Sequence, residues 1–292
     1  MQPLVSIGMS VYNCEKTLDL ALQSIVQQSY QNWELILIDD GSTDQTLQVA
    51  QRWNDQRIKL FADGKNRKLP ARLNEAISLS QGKYFARMDG DDISYPLRLE
   101  KQVAFLESYP EVDLVGSWLA TFTREDFLLG KRTCPENHTK ICSRLAFTSF
   151  GIGHATITGQ LKWFQQHRYN ESFRVAQDQE LFFRTHRNSL FANIPEILYA
   201  YRLDEHRNLK KTLTARYLLL PVLVRGLFRD GKPGQAALAL IMQITKAMLD
   251  IAFSLGTKCH LLRHSDGHKL SLEEQNYCKN LIATLQKQVA TR

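Results

Sequence analysis

Three carboxylates fall within four residues at Asp89-Gly90-Asp91-Asp92. Like charges this close repel one another unless a cation sits among them. Hard oxygen ligands suit Mg²⁺ or Mn²⁺, which commonly bind through one or two carboxylates together with substrate phosphates. Gly90 lets a ligand come close to the backbone. The same tetrapeptide also fits a solvated acidic turn in which Asp92 caps the next helix. A second cluster reads Asp39-Asp40-Gly41-Ser42-Thr43-Asp44. An aspartate at a strand end can hydrogen-bond a nucleobase or ribose, whereas Ser42, Thr43 or Asp44 could simply cap the helix that follows. The third candidate is Asp178, at the start of Ala176-Gln177-Asp178-Gln179-Glu180-Leu181-Phe182-Phe183-Arg184. A carboxylate there suits the helix dipole, so a plain first-turn acid stands beside the reading as a general base.

Hydrophobic spacing predicts the elements that hold these acids. Val5–Tyr12 alternates apolar and small polar residues and stops at Asn13, which predicts a first strand. Leu18, Ala21, Leu22, Ile25 and Val26 give helical spacing over 15–29. Trp33–Ile38 is a near-continuous apolar run, as in a buried parallel strand, and it ends at Asp39-Asp40. A helix over Thr46–Trp53, a short strand Ile58–Phe61, a helix over about 70–80 and a strand Tyr84–Met88 follow. That last strand runs into Asp89. A helix after Pro96 and a strand Val112–Ser117 come next, then an irregular stretch over 118–170. Ala176–Arg187 reads as a helix and Ile194–Arg202 as extended. Alternating strands and helices imply a mostly parallel sheet covered on both faces. Ligands of such sheets sit beyond the carboxyl ends of the strands, where both acidic clusters fall.

Taken in order, these pieces resemble the family 2 glycosyltransferases, inverting enzymes of GT-A fold. Val5-Ser6-Ile7 through Tyr12-Asn13 is similar to the family's first strand, and Ile38 through Asp44 to its nucleotide-binding turn. Arg72-Leu73-Asn74-Glu75-Ala76 to Gly82-Lys83-Tyr84 resembles the helix before the metal site. Arg87 through Asp92, then Pro96 with Arg98-Leu99-Glu100-Lys101-Gln102, follow the family pattern, and Asp178 to Arg184 resembles the helix that supplies the base. The likeness spans roughly residues 3–205. It implies a catalytic domain over 1–205, with a nucleotide-sugar half to about 117 and an acceptor half beyond it, and a basic helical appendage over 206–292. It also implies that Ser10, Tyr12 and Asp40 border the nucleobase and ribose, Asp40 foremost at the base, with Arg67 approaching the nucleotide. Asp91 becomes the main ligand of Mg²⁺ or Mn²⁺, Asp89 assists at the ribose or metal, and Asp178 is the general base. His154 and Arg202 fall near positions facing the acceptor or diphosphate, although a buried structural histidine would explain His154 equally. Leu203-Asp204-Glu205-His206-Arg207 departs from the serine-rich stretch of many relatives, leaving His206 or Lys210 to grip the diphosphate. The implied donor is a nucleotide-diphosphate sugar, with UDP favoured. The implied acceptor is a glycan or lipid-linked sugar, in surface polysaccharide or glycolipid synthesis.

Composition fits a soluble globular chain: 43% of the 292 residues are hydrophobic and 23% charged. Five cysteines without a CxxC pair argue against a zinc cage or a disulfide framework and for a reducing cytosol. The N-terminus lacks the basic and apolar stretches of a secretion signal. The expected location is therefore cytoplasmic, including the inner face of a membrane. The net charge of +7 is concentrated: residues 206–292 hold 14 Lys/Arg against 5 Asp/Glu, while residues 1–205 hold 23 against 25. Tyr217–Val224 is apolar but too short to span a bilayer. Over 235–256, Gln243, Lys246, Asp250 and Ser254 form a polar stripe, with Leu238, Ile241, Ile244, Met248, Ile251 and Leu255 elsewhere. Such an amphipathic helix could meet a membrane surface, the catalytic domain or a second subunit. A nucleotidyltransferase is the competing enzyme class, but Tyr12-Asn13-Cys14-Glu15 lacks the glycine-rich triphosphate loop expected of it. Nucleic-acid binding is disfavoured, because the tail's few aromatics sit on apolar faces.

Overall fold

The computed structural model describes residues 2–123, 125–143, 150–203, 209–255 and 268–291, the side chains of 253–255 excepted. Its frame is one sheet. Strands β1 (Val5–Val11), β2 (Trp33–Asp39), β3 (Ile58–Ala62) and β4 (Tyr84–Asp89) run parallel in the order β3-β2-β1-β4. Beyond β4 the sheet becomes mixed. Three further strands β5 (Ile93–Ser94), β6 (Leu114–Phe122) and β7 (Leu128–Arg132), with β8 (Thr158–Gln160) and β9 (Phe191–Arg202), complete it. β8 lies antiparallel between β4 and β6, β6 pairs parallel with β9, and β5 closes the edge. β7 folds back on β6 as a hairpin.

Period-two alternation sorts β2 between two cores. Leu35 and Leu37 join one cluster with Leu18, Leu22 and Ile25 of helix α1 (Leu18–Val26) and Val49 of α2 (Thr46–Gln51). Ile36 and Ile38 join another with Leu73 and Ile77 of α3 (Leu69–Leu79). Every residue of β2 is buried, as its unbroken apolar run requires. The first cluster also takes Leu99 and Val103 of α4 (Arg98–Ser108). The second takes Trp163 and Phe164 of α6 (Leu161–Gln166) and Leu181 and Phe182 of α7 (Gln177–Thr185).

Register fixes the site. Ser10 lies opposite Ile38 on one side and Asp89 on the other, and Val11 lies opposite Asp39. The carboxyl ends of β1, β2 and β4 are therefore level, and both acidic clusters meet at one edge. The stretch read as irregular contains α5 (His138–Cys142), a 3-10 turn at His154–Thr156, β8 and α6. β9 begins three residues earlier than its expected start at Ile194. It keeps its pairing across Pro195 by a bulge: Ile194 pairs with Ser117 and Ile197 with Trp118. Proline lacks the donor a regular ladder would need there.

The C-terminal region divides in two. Helices α8 (Leu209–Arg229) and α9 (Pro233–Leu255) form a hairpin turned by Gly231 at φ +68°. The hairpin is fastened to α7: Arg187 donates to the carbonyl of Gly226 at 3.0 Å and pairs with Asp230. Gly226 packs so tightly on Phe183 that a Cβ there would lie 2.2 Å from the ring. Helix α10 (Leu272–Ala290) instead returns to the α/β body. It starts with a Ser271/Glu274 capping box, and its Cys278, Ile282 and Leu285 pack with Ile93, Tyr95, Phe122 and Ala200. His206 and Cys259 lie outside the described residues, and Lys210 stands exposed in the first turn of α8.

Candidate active site

The acidic turn after β4 places three carboxylates with ligand atoms within 4.8 Å of one another. Their surroundings differ. Asp92 is fully buried; its carboxylate accepts from the Tyr199 hydroxyl at 2.9 Å and the Arg202 amide at 2.7 Å. Burial, then the charges of Asp91 and Asp89, push its carboxyl well above the usual range. Asp89 is ion-paired with the buried guanidinium of Arg87. Asp91 is exposed. Crowding by protein atoms and the charge of Asp89 push its carboxyl up to about 6. Close carboxylates, which are hard oxygen donors, fit a divalent cation. Asp91 and Asp89 are the residues free to hold it, because Asp92 is committed to Tyr199 and Arg202.

Arg202 is a brace for this turn. Its Nε donates to the Asp91 carbonyl at 2.8 Å, and its Nη1 donates to the Thr123 carbonyl at 3.1 Å and Asp126 Oδ1 at 3.0 Å. The guanidinium stacks on Phe122, 4.3 Å from the ring centre. Asp126, at φ +62° in the β6–β7 turn, also accepts from Gln286 Nε2 of α10 at 2.7 Å. The C-terminal helix is thereby tied to the acidic turn through Gln286, Asp126 and Arg202.

On the β2 side, Asp40 is 4% exposed and serves the chain's own loop. Oδ1 accepts from the Arg67 amide at 2.7 Å and Arg72 Nε at 2.9 Å, and Oδ2 accepts from the Lys68 amide at 3.0 Å. A carboxylate offers about four acceptor positions, so about one remains for a base or ribose. Arg72, 1% exposed in side chain, also holds Asp63 and Glu75. The Arg67 guanidinium is half-exposed, 3.4 Å from Glu75. Gly41, at φ +71°, would drive a Cβ to 2.8 Å from the Lys65 backbone, so only glycine lets the two loops meet. Ser10 lies at the end of β1, and Tyr12 stands 47% exposed beyond it.

On the opposite side, His154 Nε2 lies 2.8 Å from the Tyr169 hydroxyl, and its ring stands edge-on to Tyr169 and Phe182. Burial and then the Arg87 charge push the imidazole well below its usual range, so it is neutral. The Tyr169 hydroxyl is raised by burial, with Asp178 and Asp89 both contributing. Asp178 is half-buried in the first turn of α7, which Ala176 enters in the left-handed region at φ +58°, and it accepts from Gln179 Nε2 at 3.2 Å.

A groove of about 750 Å³ opens beside the turn, bounded by Tyr12, Asp44, Asp91, Asp126 and Arg202 and by Gln286 of α10. Of the expected residues it takes in Tyr12, Asp91 and Arg202; Ser10, Asp40, Arg67, Asp89, His154 and Asp178 do not line it. Sequence reasoning assigned no role to Arg72, Arg87, Tyr169 or Tyr199. The first two lay inside recognised motifs, and a basic residue in an apolar stretch beside a carboxylate was the available signal.

A parallel β3-β2-β1-β4 edge with an acidic turn after β4 defines a nucleotide-sugar transferase fold of GT-A type. Solved structures of this geometry agree. Staphylococcus aureus TarS, solved with UDP-GlcNAc, superposes with a TM-score of 0.66 at 18% identity, over 98% of this chain and 81% of that one. The mannosyltransferase PcManGT of Pyrobaculum calidifontis, solved with GDP-Man and Mn²⁺, gives 0.60 at 17% identity over 100% and 87%. The sequence pattern of glycosyl transferase family 2 matches residues 6–192, and the chain belongs to that family. EpsE of Bacillus subtilis, which carries a provisional glycosyltransferase name, is 50% identical over 123 residues, 41% of this chain and 44% of EpsE. WfgD of Escherichia coli, a UDP-Glc:alpha-D-GlcNAc-diphosphoundecaprenol beta-1,3-glucosyltransferase, is 30% identical over 154 residues, 53% of this chain and 59% of WfgD. The chain therefore matches about half the length of each of these two relatives.

Proposed function

We propose that this chain transfers a sugar, with inversion, from a UDP-sugar to a hydroxyl of a lipid-linked glycan at the cytoplasmic face of a membrane, in surface polysaccharide synthesis. The observation that carries the reading is the graded acidic turn: one carboxylate buried and hydrogen-bonded within the fold, one paired, and one left open at a groove. Asp91, assisted by Asp89, holds Mg²⁺ or Mn²⁺. Such an ion, when bound, supplies neutralising charge for the departing diphosphate. Asp40 orders the Arg67–Lys68 loop and keeps an acceptor for the base, while Ser10 and Tyr12 border the nucleoside. Asp178 takes the proton of the attacking hydroxyl. One displacement inverts the anomeric centre. His154 is neutral and packs beside Tyr169, so it shapes the acceptor side without carrying charge. The UDP preference and the lipid-linked acceptor are supported by the WfgD likeness.

The test is a coupled assay for released UDP across a panel of UDP-sugars with Mn²⁺ and lipid-linked acceptors. Turnover that releases UDP, and that Asp178→Asn abolishes with donor binding retained, supports the reading. Release of pyrophosphate from a sugar phosphate and UTP would assign a nucleotidyltransferase instead.

A further inference from the structure

The α8–α9 hairpin is built inside out. The polar residues of α9 face α8: Asp250, 3% exposed, pairs with Arg216 at 2.8 Å, and Gln243 Oε1 accepts from Arg216 Nη1 at 2.8 Å. Apart from Ala236 and Ala239, which pack on α8, the large apolar residues face outward. Leu238, Ile241, Ile244 and Met248 are 43%, 60%, 50% and 66% exposed and recur at helical spacing. A soluble surface helix carries the reverse pattern, with its apolar stripe on the core. Over Pro233–Ala252 the mean hydropathy is 1.3, yet only 17% of that stretch is buried. A continuous exposed apolar face of this kind marks a contact surface.

Charge selects the occupant. Arg225 and Arg229 in the last turns of α8, and Lys232 in the connecting turn, are exposed at the same tip, beside the exposed ring of Phe228. Tyr217 projects from α8 as well. Residues 206–292 carry a surplus of +9, from 14 basic and 5 acidic residues. Two copies meeting through this face would bring two such surpluses together, whereas an anionic lipid surface neutralises one.

We infer that the hairpin docks on an anionic phospholipid bilayer. The outward stripe of α9 lies in the headgroup–acyl boundary, and Arg225, Arg229 and Lys232 meet the lipid phosphates. The Arg216–Asp250 pair stays sealed in the seam with α8, so the helix lies along the interface with its polar side covered by protein. This inference rests on the hairpin alone and is independent of the transferase reading.

The experiment is co-sedimentation of the full chain with vesicles of phosphatidylglycerol and phosphatidylethanolamine, at low and high salt, against phosphatidylcholine vesicles. Two variants are compared: Ile241→Glu with Met248→Glu, and Arg225→Glu with Arg229→Glu. All four positions are exposed, and circular dichroism checks that the helices remain. The expected result is salt-sensitive binding to the anionic vesicles, weakened about tenfold or more by either pair of substitutions. Transfer to a water-soluble acceptor should be unaffected in both, which separates loss of docking from loss of catalysis. A full chain that stays in the supernatant with anionic vesicles overturns the inference, whether light scattering finds it a monomer or a dimer through α9. Unchanged binding by the Ile241/Met248 variant overturns it as well.

Discussion

Replacing Arg202 by lysine isolates what that residue does. The substitution keeps the charge but loses the fork. In the wild type one guanidinium reaches the Asp91 carbonyl, the Thr123 carbonyl and Asp126 at 2.8, 3.1 and 3.0 Å while stacking on Phe122. A single ammonium serves one or two of these acceptors. Hydrogen bonds to charged groups contribute about 1.5–3 kcal/mol each, and the stacking about 0.5–2 kcal/mol. The Arg202 side chain is 7% exposed but Asp126 is 26% exposed, so solvent screens part of that loss, and about 2–4 kcal/mol is the expected cost. Much of it falls on the order of the acidic turn, because the Asp91 carbonyl loses its brace. Groups that support metal ligands typically change affinity about 10–100-fold. The expected outcome in calorimetry is therefore Mn²⁺-dependent UDP binding weakened by that factor, alongside a lower urea midpoint. Asp126→Asn should act in the same direction more weakly, and the two changes should be less than additive. Wild-type affinity for Mn²⁺ and UDP in Arg202→Lys, with only the KM for the sugar donor or acceptor altered, would refute the brace and make Arg202 a substrate contact.

Asp178→Asn should lower kcat by about 10²–10⁴-fold, with UDP-sugar affinity by thermal shift unchanged; an active variant removes Asp178 as base. Asp91, with its carboxyl up to about 6 through crowding and Asp89, should make metal binding pH-dependent. The ion needs the ionised form, so apparent Mn²⁺ affinity should be steady above about pH 6 and weaken about tenfold per unit below it, as a titration by calorimetry would show. The metal-free chain should show the opposite trend from the same group: a carboxyl raised in the folded state binds more protons folded than unfolded, so its contribution favours folding increasingly as pH falls through about 6 toward the ordinary range. Thermal melts with and without Mn²⁺ should therefore diverge as pH rises. Arg72→Met, which strips a 1% exposed cation from the buried Asp40, should lower unfolding stability by about 3–5 kcal/mol in urea titrations.

Strands β1, β2 and β4 were legible because they are buried on both faces. Trp33–Asp39 and Tyr84–Asp89 leave no choice of register, and each ends on the acids that define the site. β5, β7 and β8 were not legible: strands of 2, 5 and 3 residues carry too few side chains to show a period. The site was legible by residue type where the chemistry needs a carboxylate, and not where it needs a buried cation. Arg72 and Arg87 had no assigned role until the fold placed Asp40 and Asp89 beside them. The amphipathic pattern of α9 was visible, but spacing alone says nothing of which face turns inward. The Arg216–Asp250 pair decides that, across 34 residues of chain.

The three aspartates after β4 show how one short acidic run is given three roles by its neighbours. Asp92 sits in a dry site that raises its carboxyl, and its bonds to Tyr199 and the Arg202 amide tie the turn to β9. Asp89 is matched by Arg87, and burial together with the Arg87 charge keeps His154 neutral. That leaves Asp91 as the member of the trio open to the groove, its backbone held by Arg202 and its carboxyl crowded by Asp89. If Asp92 and Asp89 were also open, three repelling carboxylates would spread the turn and cost order. Burying one among internal hydrogen bonds and pairing another leaves a single well-braced side chain open to a cation. The same reasoning predicts an asymmetry among substitutions. Asp91→Asn should remove metal-dependent donor binding with little change in stability. Asp92→Asn, which keeps the shape of a buried group already committed inside the fold, should retain metal binding and lose mainly through the altered hydrogen bonds to Tyr199 and the Arg202 amide. Equal loss of Mn²⁺ affinity in both variants, measured by calorimetry on folded protein, would show that Asp92 ligates as an ion and that its burial is not what sorts the trio.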